Sequence, residues 1–206
     1  MASSSTRLCR AVCLCVASFA SGFLVALLAS LRPSKKSAVQ KKKTPSSTIT
    51  PPSSTITLTK KYQVFLSFRD EDTRVGFTSH LDHALSGRCM VTFIDYKLVR
   101  GDEISTALLK SIQESMIAVV IFSKNYASSR WCLRELAEIM KREKLRELTV
   151  IPVFYYVNPT DVRNQTDPFK DSFAKHENES QDEVQEWRKA FTEAANRSGW
   201  DSAGTR

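Results

Sequence analysis

Residues 116–144 read MIAVVIFSKNYASSRWCLRELAEIMKREK. The first seven residues form a nearly continuous apolar run, which is typical of a strand that is buried on both faces. Between residues 131 and 144 apolar side chains recur with the period of a helix. The stretch therefore predicts a buried strand, a loop and a helix, which is the unit from which parallel sheets are built.

The chain from residue 62 onward repeats this alternation. Further strands are predicted at residues 62–68, 90–95 and 149–157, and further helices at residues 73–86, 102–115, 169–176 and 183–197. Together they predict an α/β domain with a doubly wound parallel sheet. Ligands of such sheets bind beyond the carboxyl ends of the strands, so we expect residues 67–74, 95–101 and 123–131 to gather there.

The net charge of +8 is unevenly distributed. Ten of the 30 Lys and Arg residues, and none of the 22 Asp and Glu residues, precede residue 62, which leaves residues 62–206 with a net charge of −2. A nearly neutral domain lacks the electrostatic footprint of a nucleic-acid-binding protein, so nucleic acid is not expected as a partner. Only two of the five cysteines, Cys89 and Cys132, follow residue 61, which favours a reducing compartment.

Residues 11–31 carry no charge. As a helix this run is about 31 Å long, enough to cross a hydrocarbon core of about 30 Å. We therefore expect an uncleaved single-pass membrane anchor after an N-terminal segment of residues 1–10. The basic residues that follow place the C-terminal side in the cytosol. A cleaved signal or transit peptide is the alternative. In a lumenal domain the sequons at Asn164, Asn178 and Asn196 would be glycosylated.

Residues 32–61 are basic, rich in Pro, Ser and Thr, and contain SSTIT twice. This composition predicts a linker without an apolar face. The folded domain is accordingly predicted to occupy residues 62–206.

The stretch SFRDEDTR, residues 67–74, follows a predicted strand. Arg69 and Arg74 are candidates for bidentate binding of phosphate at a helix N-terminus. In the alternative interpretation the acids and arginines satisfy one another at the surface, and Asp72 caps the next helix. Residues 94–105 form a charged loop in which Gly101 permits a turn with positive φ; such a loop either covers a site or is simply a turn.

Trp131 and Glu135 are four residues apart and share one face of the predicted helix. An aromatic ring beside a carboxylate can stack a planar substrate and stabilise a cationic transition state. In the alternative, Glu135 complements the helix dipole and Trp131 belongs to the core. The sequence contains no GxxxxGK[ST], HExxH or CxxC motif, so no metal site is predicted.

Six ordered blocks resemble the TIR domain of plant immune receptors and run from residue 62 to residue 200. They are YQVFLSFRDEDTR, FTSHLDHAL, TFIDYKLVRGDEIS, IAVVIFSKNYASSRWCLREL, VIPVFYYVNPTDVRNQT and EVQEWRKAFTEAANRSGW. The resemblance implies a flavodoxin-like α/β fold, in which a parallel sheet of about five strands carries helices on both faces.

The resemblance also implies an NAD+ nucleosidase that cleaves the nicotinamide–ribose bond on self-association, with ADP-ribosyl cyclase as a further activity. NAD+ is then a substrate, and no cofactor is implied. Glu135 corresponds to the family's catalytic glutamate, and Cys132 to a residue implied in a nucleic-acid-directed activity of some relatives. The implied substrate contacts are Phe68, Arg69, Arg74, Ser129 and Trp131. The alternative is a non-catalytic adaptor that recruits other TIR domains in defence signalling.

Self-association with the same or other TIR domains is the second implied property. Ser79 and His80 correspond to the family's SH pair on the first helix, and a second contact face is implied near Arg163 and Trp187. The loop from Asp95 to Gly101 resembles the one that couples assembly to the site.

The chain departs from the family pattern at three places. Asp70 replaces a usual glycine and is expected either to crowd the nucleotide or to narrow the backbone freedom of the loop. Arg134 replaces a usual acid at the surface, and Asp167-Pro168 replaces a glycine near the second contact face.

Overall fold

The computed structural model describes residues 10–14, 16, 60–94, 106–179 and 181–202. Its five strands form one parallel sheet in the order β2-β1-β3-β4-β5. The strands are β1 (Tyr62–Phe68), β2 (Thr92–Phe93), β3 (Ser115–Phe122), β4 (Thr149–Phe154) and β5 (Trp200–Asp201). The predicted flavodoxin-like sheet of about five strands is confirmed.

Helices connect these strands. They are α1 (Asp70–Thr73), α2 (Ser79–Ser86), α3 (Thr106–Gln113), α4 (Arg130–Lys144), α5 (Pro159–Asn164), α6 (Lys170–Glu179) and α7 (Gln181–Ala195). A kinked segment, Arg74–Thr78, whose backbone is non-helical at Val75 and Gly76, joins α1 to α2, and a 3₁₀ turn, Tyr126–Ser128, precedes α4.

The sheet is buried on both faces because its strands are apolar throughout. On β3, Ala118, Val120 and Phe122 pack into a cluster that includes side chains of α3, α4, α6 and α7. The residues between them, Ile117, Val119 and Ile121, pack into a second cluster with the apolar side of α2. Helices on both faces are therefore confirmed, and the alternation of side chains along each strand assigns each residue to one of the two clusters.

Residues 10–14 and 16, at the start of the predicted anchor, are helical, and from here on the name N-terminal segment refers to them. Val12 and Val16 of this segment are fully buried in the second cluster. Among the residues that the structure describes, no helix has the length and apolar character that a membrane crossing requires. Residues 17–31 of the predicted anchor and residues 32–59 of the predicted linker lie outside the described residues.

The helix predicted at residues 73–86 is wrong in its first half. Gly76 has φ 139°, a conformation favoured by glycine, and it interrupts the helix before Ser79. Val75, an apolar side chain that fits the period of the predicted helix, is 98% exposed as a result. The later helices match the predicted ones to within a few residues at each end, apart from residues 102–105, which lie outside the described range.

The bounds of two strands, β2 and β4, also differ from the sequence prediction. β2 is shorter than residues 90–95, and β4 ends at Phe154 rather than at residue 157, two residues before Tyr156 adopts a left-handed φ of 53°. The sequence also did not predict α5, although Asn158 accepts a hydrogen bond from the Thr160 N–H at 2.8 Å in an ordinary N-cap.

The short strand β5 was missed as well. It pairs with β4 through Val153 and Trp200. The pairing depends on Gly199, because a Cβ at this position would lie 2.3 Å from the Pro152 carbonyl oxygen.

Candidate functional site

A cavity of about 230 Å³ opens where β1 ends and α4 begins. Its walls come from two segments far apart in sequence: Leu66, Phe68, Arg69, Asp70 and Glu71 from the first, and Ser128, Ser129, Trp131, Cys132 and Glu135 from the second. The predicted meeting of residues 67–74 with residues 123–131 is confirmed. The volume is below the roughly 300–1,000 Å³ of most small-molecule sites.

Glu135 is buried, with 6% of its surface exposed, and it lines the cavity. Because α4 begins at Arg130, Glu135 lies in the second turn of the helix. The effect of the helix dipole is concentrated in the first turn, so the dipole does not account for a buried carboxylate here. A buried carboxylate at a cavity wall is suited to stabilising positive charge that develops on a bound group.

Two aromatic side chains accompany Glu135 at the cavity. Trp131 and Phe68 are each partly exposed there, and Trp131 also packs against the core cluster of α4 and α7. Trp131 therefore contacts the core, as the alternative interpretation predicted, and also lines the cavity, while its contact with a substrate stays a prediction. Ser129 caps α4, since its Oγ accepts a hydrogen bond from the Cys132 N–H at 3.3 Å.

Tyr126 joins the two walls from beneath, and sequence reasoning missed it. Its fully buried hydroxyl donates to the Cys132 carbonyl oxygen at 3.2 Å and lies 2.8 Å from Ser67 Oγ. The Cys132 thiol in turn donates to the Phe68 carbonyl oxygen at 3.6 Å. Burial, followed by the charges of Cys132 and Glu135, raises the pKa of Tyr126 well above its ordinary value of 10, so the hydroxyl keeps its proton at neutral pH.

Asp72 forms a second connection between the walls. One carboxylate oxygen accepts hydrogen bonds from Arg69 Nη1 at 2.6 Å and Asn125 Nδ2 at 3.1 Å; the other accepts from the Ser123 hydroxyl and the Asn125 backbone N–H. Burial acts to raise the pKa of Asp72, but these hydrogen bonds outweigh it and lower the pKa. The suggestion that Asp72 caps a helix is wrong, because Arg69 occupies the N-cap and no side chain makes a capping bond there.

The two predicted phosphate ligands are engaged by acids of their own segment. Arg69 lines the cavity and pairs with Asp72 and, at 3.5 Å, with Glu71. Arg74 pairs with Asp70, and its guanidinium lies 5.7 Å from the centre of the Phe68 ring. The alternative interpretation, a network of acids and arginines that satisfy one another, therefore matches the ion pairs of this segment. Arg69 lines the cavity, whereas Arg74 contacts Phe68 and Asp70, two residues that line it.

The predicted contact residues for assembly divide into exposed and buried ones. Ser79 and His80 are exposed at the start of α2, and Arg163 is exposed near the end of α5. Trp187 is 2% exposed and packs edge-on against His176, so its ring is a core residue. The prediction of Trp187 as a contact residue is corrected accordingly, and a second face would consist of exposed residues around Arg163. The predicted loop residues Asp95 and Gly101 lie outside the described residues.

Comparison with known proteins identifies relatives of this arrangement. The TIR domain family matches residues 61–206. A disease resistance protein of Vitis rotundifolia, RPV1, is 51% identical over 142 residues, which are 69% of this chain and 10% of that protein. TMV resistance protein N of Nicotiana glutinosa is 51% identical over 142 residues, which are 67% of this chain and 12% of that protein.

A solved structure matches the fold. It shows the TIR domains of the activated Roq1 resistosome, which directly recognizes the pathogen effector XopQ; the identity is 50%, the TM-score is 0.66, and the match covers 70% of this chain and 90% of that one. The chain spans only about a tenth of the length of the resistance proteins named above.

Proposed function

Because the chain belongs to the TIR domain family, we propose that it is an NAD+ nucleosidase of plant immune signalling that acts when its TIR domains self-associate. The observation that carries this proposal is the buried carboxylate of Glu135, which shares a cavity with two aromatic rings and the guanidinium of Arg69. The plant disease resistance proteins that resemble the chain support the setting in immune signalling.

The proposed reaction breaks the bond between C1′ of ribose and the pyridinium nitrogen of nicotinamide. The electron pair of that bond leaves with nicotinamide, and positive charge develops at C1′ and the ring oxygen of the ribose. Water then bonds to C1′ and releases a proton, which gives ADP-ribose. The Glu135 carboxylate would stabilise the developing positive charge, an effect worth about 10²–10³ in rate for a single well-placed group.

The remaining groups at the cavity position the substrate in this proposal. Trp131 and Phe68 offer ring faces for stacking, and the cavity of about 230 Å³ suits the nicotinamide–ribose end of NAD+. Arg69 lies where a pyrophosphate would extend from that end, and binding would draw its guanidinium from Asp72 and Glu71 toward the phosphates.

One observation favours the adaptor alternative. Asp70 places a carboxylate at the cavity and pairs with Arg74, so a negative charge meets the incoming pyrophosphate. An adaptor would retain the fold and the exposed Ser79 and His80 without turning over NAD+.

The two functions are separated by incubating the purified full chain with NAD+ and measuring nicotinamide release over a range of protein concentrations. The nucleosidase is expected to release nicotinamide with a rate per chain that rises with concentration. No release at concentrations where the chain is shown to be oligomeric would leave only the adaptor.

We also propose that α2 supplies the contact for assembly, in keeping with the multimeric TIR domains of the Roq1 resistosome. The double variant Ser79→Ala/His80→Ala should lower the oligomeric fraction in sedimentation velocity and the NAD+ cleavage at high concentration together. Lys175→Ala, an exposed change on α6, serves as the control. An oligomeric fraction that is equal in all three proteins would exclude α2 as the contact.

A further inference from the structure

The N-terminal segment packs on the domain through the side of its helix that carries Val12 and Val16, and Ala11 and Cys13 are partly buried against the same cluster. Val12 and Val16, four residues apart, lie on the same side of a helix and are both fully buried, whereas Leu14 between them is 53% exposed. A helix that crosses a bilayer is apolar and lipid-exposed all round. The observed burial is instead the pattern of a short helix packed on a folded domain.

The surface beneath the segment is the face of the sheet that α2 covers. Val12 and Val16 share one cluster with Val64 and Leu66 of β1 and Ile151 of β4. The Arg88 guanidinium, just beyond α2, donates to the Ala11 carbonyl oxygen at 3.4 Å. Arg10 is exposed, so its charge stays in water while the valines enter the core.

From these contacts we propose that the N-terminal segment is an internal strap of the TIR domain, which docks on the sheet face beside α2 and seals it. The entropic cost of bringing together the ends of a connecting chain grows slowly with its length, so the long connection through residues 17–59 does not oppose docking within one molecule. The strap and a membrane anchor exclude each other, because Val12 and Val16 belong to the uncharged run 11–31 and cannot be buried in the sheet face and in lipid together.

This inference concerns α2 as well as the strap. Leu81 and Leu85 of α2 are fully buried in the same cluster as Val12 and Val16. Removing the strap uncovers apolar surface next to the helix that carries Ser79 and His80. Docking of the N-terminal segment therefore affects the stability of α2, the helix that we propose as the contact for assembly.

The test compares Val12→Asp/Val16→Asp with Leu14→Asp in the full chain, in aqueous buffer, by thermal unfolding and hydrogen exchange. The double variant is expected to lower the Tm by about 5 °C or more and to speed exchange in α2 at least about tenfold, whereas Leu14→Asp should resemble the wild-type chain. Val12→Ala/Val16→Ala against Leu14→Ala gives the same contrast if the Asp variant does not fold. Equal Tm values and equal α2 exchange in wild type and double variant would overturn the proposal. A difference between the two proteins that disappears on dilution would also overturn it, because docking within one molecule does not depend on protein concentration.

A second measurement tests whether docking of the segment on the sheet and its insertion into a membrane exclude each other. The wild-type chain is bound to vesicles of phosphatidylcholine with a minority of phosphatidylserine, and exchange is measured in α2. In the vesicle-bound wild-type chain we expect the amides of α2 to exchange as fast as they do in the Val12→Asp/Val16→Asp variant in solution. If α2 in the vesicle-bound chain stays fully protected from exchange, docking on the sheet and insertion into the membrane do not exclude each other, and the proposal is contradicted. Neither measurement depends on NAD+ turnover, so each can fail independently of the proposed enzymatic function.

Discussion

Replacing Asp72 by Asn tests whether this carboxylate holds the two walls of the site together. Each of its oxygens accepts two hydrogen bonds, one pair from Arg69 and the Asn125 amide and the other from Ser123 and the Asn125 backbone. An amide side chain has a single oxygen. Asp72→Asn therefore removes the negative charge and turns an NH₂ group toward one pair of donors.

The size of the loss follows from these bonds. A hydrogen bond to a charged group contributes about 1.5–3 kcal/mol net, and two are broken. The Asp72 side chain is 12% exposed and the Arg69 side chain 23%, so partial screening by solvent reduces the loss to about 2–4 kcal/mol. For a chain of this size each kcal/mol lowers the Tm by about 2–4 °C, so a drop of about 4–16 °C is expected at neutral pH.

The difference in Tm should also depend on pH. The pKa of Asp72 is lowered in the folded chain, so the folded state binds the proton less tightly than the unfolded state. The resulting stability is fully present above the unfolded pKa of about 3.9 and is lost as the pH falls through the folded pKa. The Tm gap between wild type and Asp72→Asn should therefore be largest near neutral pH and narrow in acid.

Differential scanning calorimetry of the full chain over a series of pH values measures this gap. Asp171→Asn, at an exposed position on α6, controls for the loss of a surface carboxylate. The reasoning is refuted if Asp72→Asn leaves the Tm at neutral pH unchanged, or if its deficit stays constant into acid.

Two further predictions concern single positions. Asp70→Gly removes the carboxylate that pairs with Arg74, so the KM for NAD+ should fall by about 1.4- to fivefold, given that a partly exposed charge interaction contributes about 0.2–1 kcal/mol; an unchanged or higher KM would show that Asp70 does not oppose the substrate. Gly199→Ala places a Cβ 2.3 Å from the Pro152 carbonyl oxygen and should lower the Tm by about 4–10 °C through overpacking. Gly87→Ala is its control, because a Cβ there would lie 3.4 Å from the nearest atom, and an equal Tm in both variants would contradict the close approach of β5 to β4.

The central strands could be predicted because their signal is local. β1 and β3 are buried on both faces, and a continuous apolar run needs no knowledge of its neighbours. The first helix was misjudged because Val75 and Phe77 fit a helical pattern, while the positive φ of Gly76 places Val75 in solvent. β5 consists of two residues, too few for a period, and exists through its pairing with β4.

The same distinction applies to the site. The proximity of Arg69 and Glu135 could be predicted, because the carboxyl ends of neighbouring parallel strands lie at one edge of the sheet. The roles of Asp72 and Tyr126 in joining the two walls could not be predicted. Asp72 bonds to Arg69, three residues away, but also to Ser123 and Asn125, which lie 51 and 53 residues away along the chain. Tyr126 lies within hydrogen-bond distance of Ser67, which is 59 residues away. No spacing within either segment encodes such contacts.

The proposed nucleosidase function is tested most directly by the rate of nicotinamide release from NAD+ in Glu135→Gln. The control is Glu138→Gln on the same helix, where the carboxylate pairs with Arg142 at 2.6 Å away from the cavity. Both variants are compared with wild type at equal, high protein concentration, after their Tm values show that they are folded. We expect Glu135→Gln to lose about 10²–10³ in rate while Glu138→Gln retains wild-type turnover. Undiminished turnover in Glu135→Gln would contradict the assignment of the reaction to this cavity.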